Sequence, residues 1–149
     1  MHWVLKKYKE LTTNEFHNIL QLRINVFVVE QNCPYPELDG KDKLAYHFFA
    51  TADENSEQVV AYTRIFKPGD YYDKAAIGRV VVHADYRKEK LGHTLIKKSI
   101  EQIDQLFKTS EIKIGAQTYL KKFYEAHGFK KIGADYIEDG IPHIYMLRD

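Results

Sequence analysis

The segment Val80–Thr94 constrains the fold of this chain more than any other stretch. It begins with Val80–Val82, a run that is apolar on both faces, as expected for a central strand of a sheet. A basic turn follows, and over Gly92–Phe107 the apolar residues form one stripe along a helix whose opposite face is polar and charged. A buried strand that leads into an amphipathic helix predicts a mixed α/β (α+β) fold in which helices pack on a sheet.

The turn between this strand and this helix carries Arg87, Lys88 and Lys90. The first amides of a helix have no internal acceptor, and the helix dipole adds partial positive charge beside them. Such a turn suits a pyrophosphate. An ordinary helix start with solvated cations explains the same residues, so the pattern alone leaves both interpretations open.

The remaining segments alternate between strand and helix patterns. Thr12 and Glu15 have capping-box spacing, which predicts the start of a first helix. Gly128 suits the left-handed cap of a helix, and Asp139-Gly140 predicts a tight hairpin turn. Strands are predicted near Trp3–Tyr8 and over Ala45–Thr51, Val59–Phe66, Ala75–His83, Ile112–Ala116, Lys130–Ile137 and Ile141–Leu147, with a further helix around Tyr119–His127.

Composition and charge exclude several classes of function. The length of 149 residues fits one domain, and 22 Lys+Arg against 21 Asp+Glu leave a net charge of +1 that provides no general attraction to nucleic acid or anionic membranes. The single Cys33 allows no internal disulfide, and no Cys/His spacing indicates a metal site. No apolar run approaches the roughly 18 residues of a membrane span, and no signal-peptide pattern is present. We therefore expect a cytoplasmic protein with neither nucleic-acid nor membrane partners.

Two motifs give these patterns a specific interpretation. Arg87 and Gly92 match the first and last positions of the motif R/Q-x-x-G-x-G/A, with Lys90 at the position of its first glycine. Phe123–Phe129 matches the pattern fY-x-x-x-GF. The chain thus resembles the GNAT-superfamily N-acetyltransferases. Within them it is similar to the ElaA-like subfamily, through Arg23–Gln31, Cys33–Tyr35, Asp39-Gly40, Ile77–Val80, Gly115–Gln117 and Glu138–His143.

The resemblance implies a single N-acetyltransferase domain over residues 1–149 and a GNAT-like fold. Its sheet would be mixed, mostly antiparallel and twisted, with helices on both faces and a splayed central pair formed by the fourth and fifth strands. Acetyl-CoA would enter that gap as a co-substrate, without a metal. The cofactor-binding residues implied are Val80, Val81, Val82, Arg87, Lys88, Lys90, Leu91, Gly92, His93, Thr94, Gln117 and Phe123.

The resemblance also implies direct acetyl transfer to an amine, with Tyr124 as the proton donor for the departing thiolate. The base that accepts the amine proton is less defined. Glu30 follows four apolar residues and is the first candidate, while His47, His143 or water are alternatives. The residues predicted to bind the acceptor substrate are His47, Arg64, Arg79 and His143.

Two other functions compete with this interpretation. One is an acyltransferase similar to acyl-homoserine-lactone synthases, and the other is a CoA-binding module without catalysis. The sequence identifies no particular amine acceptor, and a homodimer is among the assemblies that the resemblance allows.

Overall fold

Seven β-strands and three α-helices form the regular structure of the computed structural model, which describes residues 1–149. The strands are β1 (His2–Lys7), β2 (Tyr46–Thr51), β3 (Val59–Phe66), β4 (Ala75–Val82), β5 (Ile112–Gln117), β6 (Phe129–Glu138) and β7 (Ile141–Arg148). The helices are α1 (Thr13–Ile24), α2 (Leu91–Phe107) and α3 (Lys121–Glu125), and a π-helical segment, Asn25–Glu30, continues α1. None of the helices has the length and apolar character that a membrane crossing requires.

The strands form one sheet in the order β1-β2-β3-β4-β5-β7-β6. All neighbours are antiparallel except β4 and β5, which are parallel and pair only through Ala75–Ile112 and Ala76–Lys113. Beyond these two pairs the strands separate. The predicted mixed, mostly antiparallel sheet with a splayed central pair is therefore confirmed.

Helices cover both faces of this sheet. On the face called here the α1 face, Ile19 and Leu22 of α1 pack with Phe49 and Tyr62 of the sheet. On the opposite face, called here the α2 face, Leu95 and other apolar residues of α2 join the larger core cluster together with α3. The apolar stripe predicted for α2 is thus buried against the sheet.

Local sequence signals explain where several elements begin and end. The Thr12 side chain accepts a hydrogen bond from the Glu15 amide at 3.0 Å, and the Glu15 carboxylate accepts one from the Thr12 amide at 2.8 Å, as predicted for a capping box. Gly128 has a φ of +87° after α3, and Asp139 and Gly140 have φ of +51° and +77° in the β6–β7 turn. The helix predicted around Tyr119–His127 is shorter, because its first turn is a 3₁₀ turn over Thr118–Leu120.

Candidate active site

The separation of β4 and β5 opens a cavity of about 520 Å³. Its walls come from both faces of the sheet. Gly92, Phe123 and Tyr124 line it from the α2 face, whereas Cys33 and Tyr35 line it from the loop that follows α1. A ligand in this gap can therefore be reached by a second ligand from the other side of the sheet.

Arg87 and Glu30 pair at the rim of the cavity. The Arg87 guanidinium donates hydrogen bonds to the two Glu30 carboxylate oxygens, at 2.7 and 3.1 Å, and its Nε donates to the Val82 carbonyl at 3.1 Å. The side chains of Arg87 and Glu30 are 42% and 43% exposed. Glu30 lines the cavity, with its carboxylate partly solvated and paired with a cation, and its role as the base stays a prediction.

The residues predicted to bind the cofactor divide into two groups. Those that line the cavity are Val80, Val81, Val82, Arg87, Gly92, Gln117 and Phe123. Those that do not line it are Lys88, Lys90, Leu91, His93 and Thr94. Leu91 is buried in the core, and the ring of His93 packs on Phe123 at a centroid distance of 4.6 Å. Cofactor binding by these five residues stays a prediction.

Lys90 has a φ of +57° and precedes the first turn of α2. This left-handed conformation favours glycine. Glycine is also the residue that the motif R/Q-x-x-G-x-G/A has at the position of Lys90. No side chain caps α2. The amides of His93 and Thr94 donate to the Lys90 carbonyl, so the amides of Leu91 and Gly92 are the ones available to a bound anion.

β4 is irregular where it borders the cavity. Tyr62 pairs with Val81 and Arg64 with Gly78, so two residues of β4 lie opposite one residue of β3. Arg79 lies in this bulge with a φ of +50°. The extra residue interrupts the ladder beside the cavity.

A cluster of six charged groups fixes the loop after α1 against the sheet. Its cations are Arg23, Arg64 and Arg79, and its carboxylates are Glu37, Asp39 and Asp42. Glu37 accepts hydrogen bonds from Arg23 at 2.5 Å and from Arg79 at 2.9 Å, and it is also bonded to the Tyr35 hydroxyl. Three positive and three negative charges balance one another, so this wall contributes little net charge to the cavity.

Arg64 and Arg79 were predicted to contact the acceptor. Arg64 is 1% exposed and is bound to Asp39 and Asp42. It does not line this cavity but lines a smaller pocket beside it, and its contact with the acceptor stays a prediction. Arg79 lines the cavity, but its guanidinium is held by Glu37.

The arginines of this cluster lower the pKa of Asp39. Partial burial raises that pKa, yet hydrogen bonds from Arg64 and the Lys41 amide bring it down to about 2.

His47 is completely buried and does not line the cavity. Its Nδ1 accepts a hydrogen bond from the Tyr62 hydroxyl at 2.7 Å when Nε2 donates to the Asp42 carbonyl at 2.9 Å. Burial lowers the pKa of His47. Because both ring nitrogens are occupied within the core, the prediction that His47 binds substrate or accepts its proton is corrected.

Tyr124 lies at the α2-face side of the cavity. Its side chain is 5% exposed, and its ring packs edge-on against Phe123 and Phe129. Burial raises the pKa of its hydroxyl, and no hydrogen bond from the chain opposes that shift. The phenol therefore keeps its proton at neutral pH.

His143 lines the same cavity and lies opposite Gln117 in the β5–β7 pairing. The residue is 8% exposed, and its Nδ1 is 2.7 Å from the Ile141 carbonyl oxygen. Its Nε2 is 3.6 Å from a carboxylate oxygen of Glu138. The structure therefore brings a histidine and a carboxylate together beside the gap.

A smaller pocket of about 190 Å³ adjoins the cavity at Gly115. A Cβ at this position would lie 2.6 Å from the Tyr136 hydroxyl and 3.3 Å from the Tyr72 hydroxyl. Only glycine leaves room for both hydroxyls beside β5.

Six residues that line the cavity have no role predicted from the sequence, namely Cys33, Tyr35, Asp39, Tyr71, Glu138 and Asp139. Most of them stand in segments that carry the subfamily resemblance, such as Cys33–Tyr35 and Glu138–His143. That resemblance was the available signal. No pattern in the sequence pointed to Tyr71. No group of three or more His, Cys, Asp or Glu side chains is arranged to hold a metal ion.

Comparison with known proteins gives one consistent family. Residues 23–148 match the family model for the acetyltransferase (GNAT) domain. The Escherichia coli protein ElaA is 40% identical over 149 residues, which are 100% of this chain and 97% of that protein. Its crystal structure superposes with a TM-score of 0.89 and 37% identity, covering 100% of both chains.

Two further structures share the fold. The crystal structure of an acyl-CoA N-acyltransferase from Pseudomonas aeruginosa superposes with a TM-score of 0.92 and 37% identity, again covering 100% of both chains. A CoA-dependent acyl-homoserine lactone synthase, solved with S-adenosylmethionine and isopentyl-CoA, has a TM-score of 0.75 but only 17% identity. The match covers 98% of this chain and 81% of that chain. The second likeness shows the fold alone.

Proposed function

Because this chain belongs to the GNAT acetyltransferase family, we propose that it transfers the acetyl group of acetyl-CoA directly to an amine. The observation that carries this proposal is the gap between β4 and β5. It has Arg87 at its rim and the protonated hydroxyl of Tyr124 within it.

The chain offers suitable groups along the length of acetyl-CoA. The pyrophosphate would meet Arg87 and the uncapped first turn of α2, where amides and a guanidinium are donors. The pantetheine arm would follow Val80–Val82 of β4, with Gln117 on the opposite strand. Phe123, next to Gly92, would form the apolar wall beside it.

Transfer to an amine requires several proton movements. An amine with a pKa near 10.4 is about 99.9% protonated at pH 7 and must first lose a proton before its lone pair can attack the thioester carbonyl. The new C–N bond forms as the carbonyl oxygen becomes an oxyanion, for which backbone amides near Val81 or Val82 are candidate donors. The C–S bond then breaks, and Tyr124 gives its proton to the thiolate.

Glu30 takes a different role in this proposal. Its two hydrogen bonds from Arg87 make it a positioning residue for the guanidinium that meets the pyrophosphate. The similarity to the acyl-homoserine lactone synthase, at 17% identity, concerns the fold alone and favours no synthase-like activity.

Measurement of thiol release from acetyl-CoA tests the proposal. The purified protein is incubated with a panel of diamines, polyamines, amino-acid derivatives and lysine peptides, and acetylated products are identified by mass spectrometry. We expect transfer to at least one class of amine and a large loss of rate with Tyr124→Phe. CoA binding by calorimetry without transfer to any amine would instead identify a CoA-binding module.

A further inference from the structure

The hydrogen bonds of His143 fix which of its nitrogens carries the proton. A carbonyl oxygen only accepts, so the contact of 2.7 Å between Nδ1 and the Ile141 carbonyl requires an Nδ1–H donor. In the neutral ring, Nε2 is then left with an unprotonated lone pair. No hydrogen bond of the chain occupies Nε2, and the residue lines the cavity.

The surroundings of His143 suit a group that accepts a proton. The Glu138 carboxylate lies 3.6 Å from Nε2, within the range of an ion pair once the ring carries a second proton. The Tyr136 ring lies 5.5 Å away at an interplanar angle of 30° and holds the imidazole plane. The charged or titratable groups that border His143 or share its end of the cavity are Glu138 and Tyr136 on β6, Asp139 in the turn, Cys33 and Tyr35 in the loop after α1, and Arg79 on β4.

We propose that Nε2 of His143 removes the proton from the acceptor ammonium, with Glu138 as the residue that positions the imidazole and stabilises its charged form. This assignment rests on the proposed function and deepens it by naming the base. In this assignment, two different residues of the cavity carry out the two proton transfers. Tyr124 protonates sulfur, and His143, which lines the same cavity, deprotonates nitrogen.

The other candidates for the base are less suited by position. Both ring nitrogens of His47 are bonded inside the core, at 2.7 and 2.9 Å. Glu30 is held by two hydrogen bonds from Arg87. Of the three side chains, only His143 combines burial, a free lone pair and a place in the cavity wall.

The proton balance of the reaction is as follows. The acceptor enters as R–NH₃⁺, and its first proton goes to Nε2 of His143 and from there to solvent. The neutral amine attacks, the C–N bond forms, and the second nitrogen proton is lost to solvent as the intermediate collapses. The thiolate takes the Tyr124 proton, which solvent replaces, so that one proton is released per acetyl group transferred.

His143→Asn provides the main test, because the asparagine amide can keep a hydrogen bond to the Ile141 carbonyl but cannot titrate. The dependence of kcat/KM for the amine on pH is measured from pH 6 to 9.5 with wild type and variant. We expect the variant to lose about 10²- to 10⁴-fold at pH 7 and to lose the part of the acidic limb that the imidazole contributes, whereas the rise that follows deprotonation of the amine itself remains. The Kd for CoA should stay within about twofold. His17→Asn, at an exposed position on α1, is the matched control and should behave as wild type.

Glu138 is tested separately with two substitutions. One removes the charge and keeps the size of the side chain, and the other keeps the charge and shortens the side chain. Glu138→Gln should lower kcat roughly two- to fivefold while the acetyl-CoA KM stays unchanged, because the pair is partly exposed. Glu138→Asp keeps the charge and should recover part of that loss. If His143→Asn fails to fold, imidazole added to His143→Ala replaces it as the test, and restored transfer is the expected result.

The outcomes separate the two proposals. If wild type acetylates an amine and His143→Asn keeps the same pH profile, the assignment of the base is overturned while the proposed function stands. An unrescued His143→Ala that binds CoA normally also overturns it. If wild type transfers no acetyl group to any amine, the proposed function fails, and the assignment of the base fails with it.

Discussion

The carboxylate of Glu30 and the guanidinium of Arg87 form a two-point ion pair at the rim of the β4–β5 gap, with distances of 2.7 and 3.1 Å. The partners lie 57 residues apart in the chain. Their contact ties the π-helical end of α1 to the turn that precedes α2.

This ion pair leads to the first prediction. Arg87→Ala should weaken CoA binding about 10- to 100-fold, because a hydrogen bond to a charged group contributes about 1.5–3 kcal/mol. Glu30→Gln should change CoA affinity less than about fivefold, because exposed ion pairs contribute at most about 1 kcal/mol. Calorimetric titration with CoA measures both. Loss of the acidic limb of the pH–rate profile in Glu30→Gln would restore Glu30 as the base.

The second prediction concerns Tyr124. Tyr124→Phe keeps the buried ring and removes only the hydroxyl, so kcat should fall about 10²- to 10⁴-fold while the CoA Kd stays within about twofold. Since burial raises the pKa of this hydroxyl, we expect it to remain protonated at pH 9 and to contribute no basic limb below that pH. A variant with unchanged kcat, when single-turnover kinetics show that chemistry limits the rate, would exclude the role.

The third prediction follows from the position of His47 in the core. His47→Leu leaves the buried Tyr62 hydroxyl without its hydrogen bond, at a cost of about 1–3 kcal/mol, and it removes one of the two hydrogen bonds to the Asp42 carbonyl, which still accepts from the Ala45 amide at 3.3 Å. We expect the free energy of unfolding, measured with urea, to drop by about 2 kcal/mol or more. The KM values of the folded fraction should be unchanged. A stable variant with a raised amine KM would place His47 in the substrate site instead.

The fourth prediction is a loss of stability in acid. The pKa of Asp39 is about 2 in the folded chain against 3.8 as the ordinary value, so the folded state binds fewer protons than the unfolded chain between these limits. Its contribution is therefore complete above about pH 4 and is lost as the pH falls toward 2. Urea midpoints at pH 5, 3.5 and 2.5 should show this decline. Asp39→Asn should be less stable than wild type at pH 5, and its urea midpoint should change less with pH. Asp149→Asn, at an exposed position, should follow wild type.

The fifth prediction concerns the acceptor. Near His143, no cation of the chain apart from that histidine forms an ion pair with Glu138 or Asp139, whereas Asp39 is paired with Arg64 and Arg79. A carboxylate next to the reacting amine would meet these negative charges at a cost of about 1 kcal/mol or more. Tyramine should therefore exceed tyrosine, and agmatine should exceed arginine, by at least about fivefold in kcat/KM. Equal values within each pair would contradict this expectation.

The sequence predicted best those features that depend on neighbouring residues. Thr12 with Glu15, Gly128 and Asp139-Gly140 determine their caps and turns through local backbone geometry, and Val80–Val82 indicates a central strand by its composition alone. The separation of β4 from β5 is a relation between distant segments, and it was predicted only through the family resemblance.

Contacts between residues that lie far apart in the chain could not be predicted from the sequence. Glu37 is bonded to Arg23 and to Arg79, which lie 14 and 42 residues away, and no periodicity links such partners. The apolar neighbours of His47 are compatible with either a core residue or a pocket residue, and only its two hydrogen bonds distinguish them. The ion pair of Glu30 with Arg87 also has no local signal, because the partners lie 57 residues apart.

The two residue pairs that join β4 to β5 have a consequence for how the chain folds. Side chains alternate between the faces of a strand, so a slip of one residue between Ala75 and Ile112 would exchange the inner and outer sets of β5. Ile114 and Ala116 would leave the core, and Gly115 and Gln117 would enter it. Because β7 and β6 are aligned on β5, they would shift together with it. The register between the two halves of the sheet is thus set by the two residue pairs that join β4 to β5, and these residues do not line the cavity.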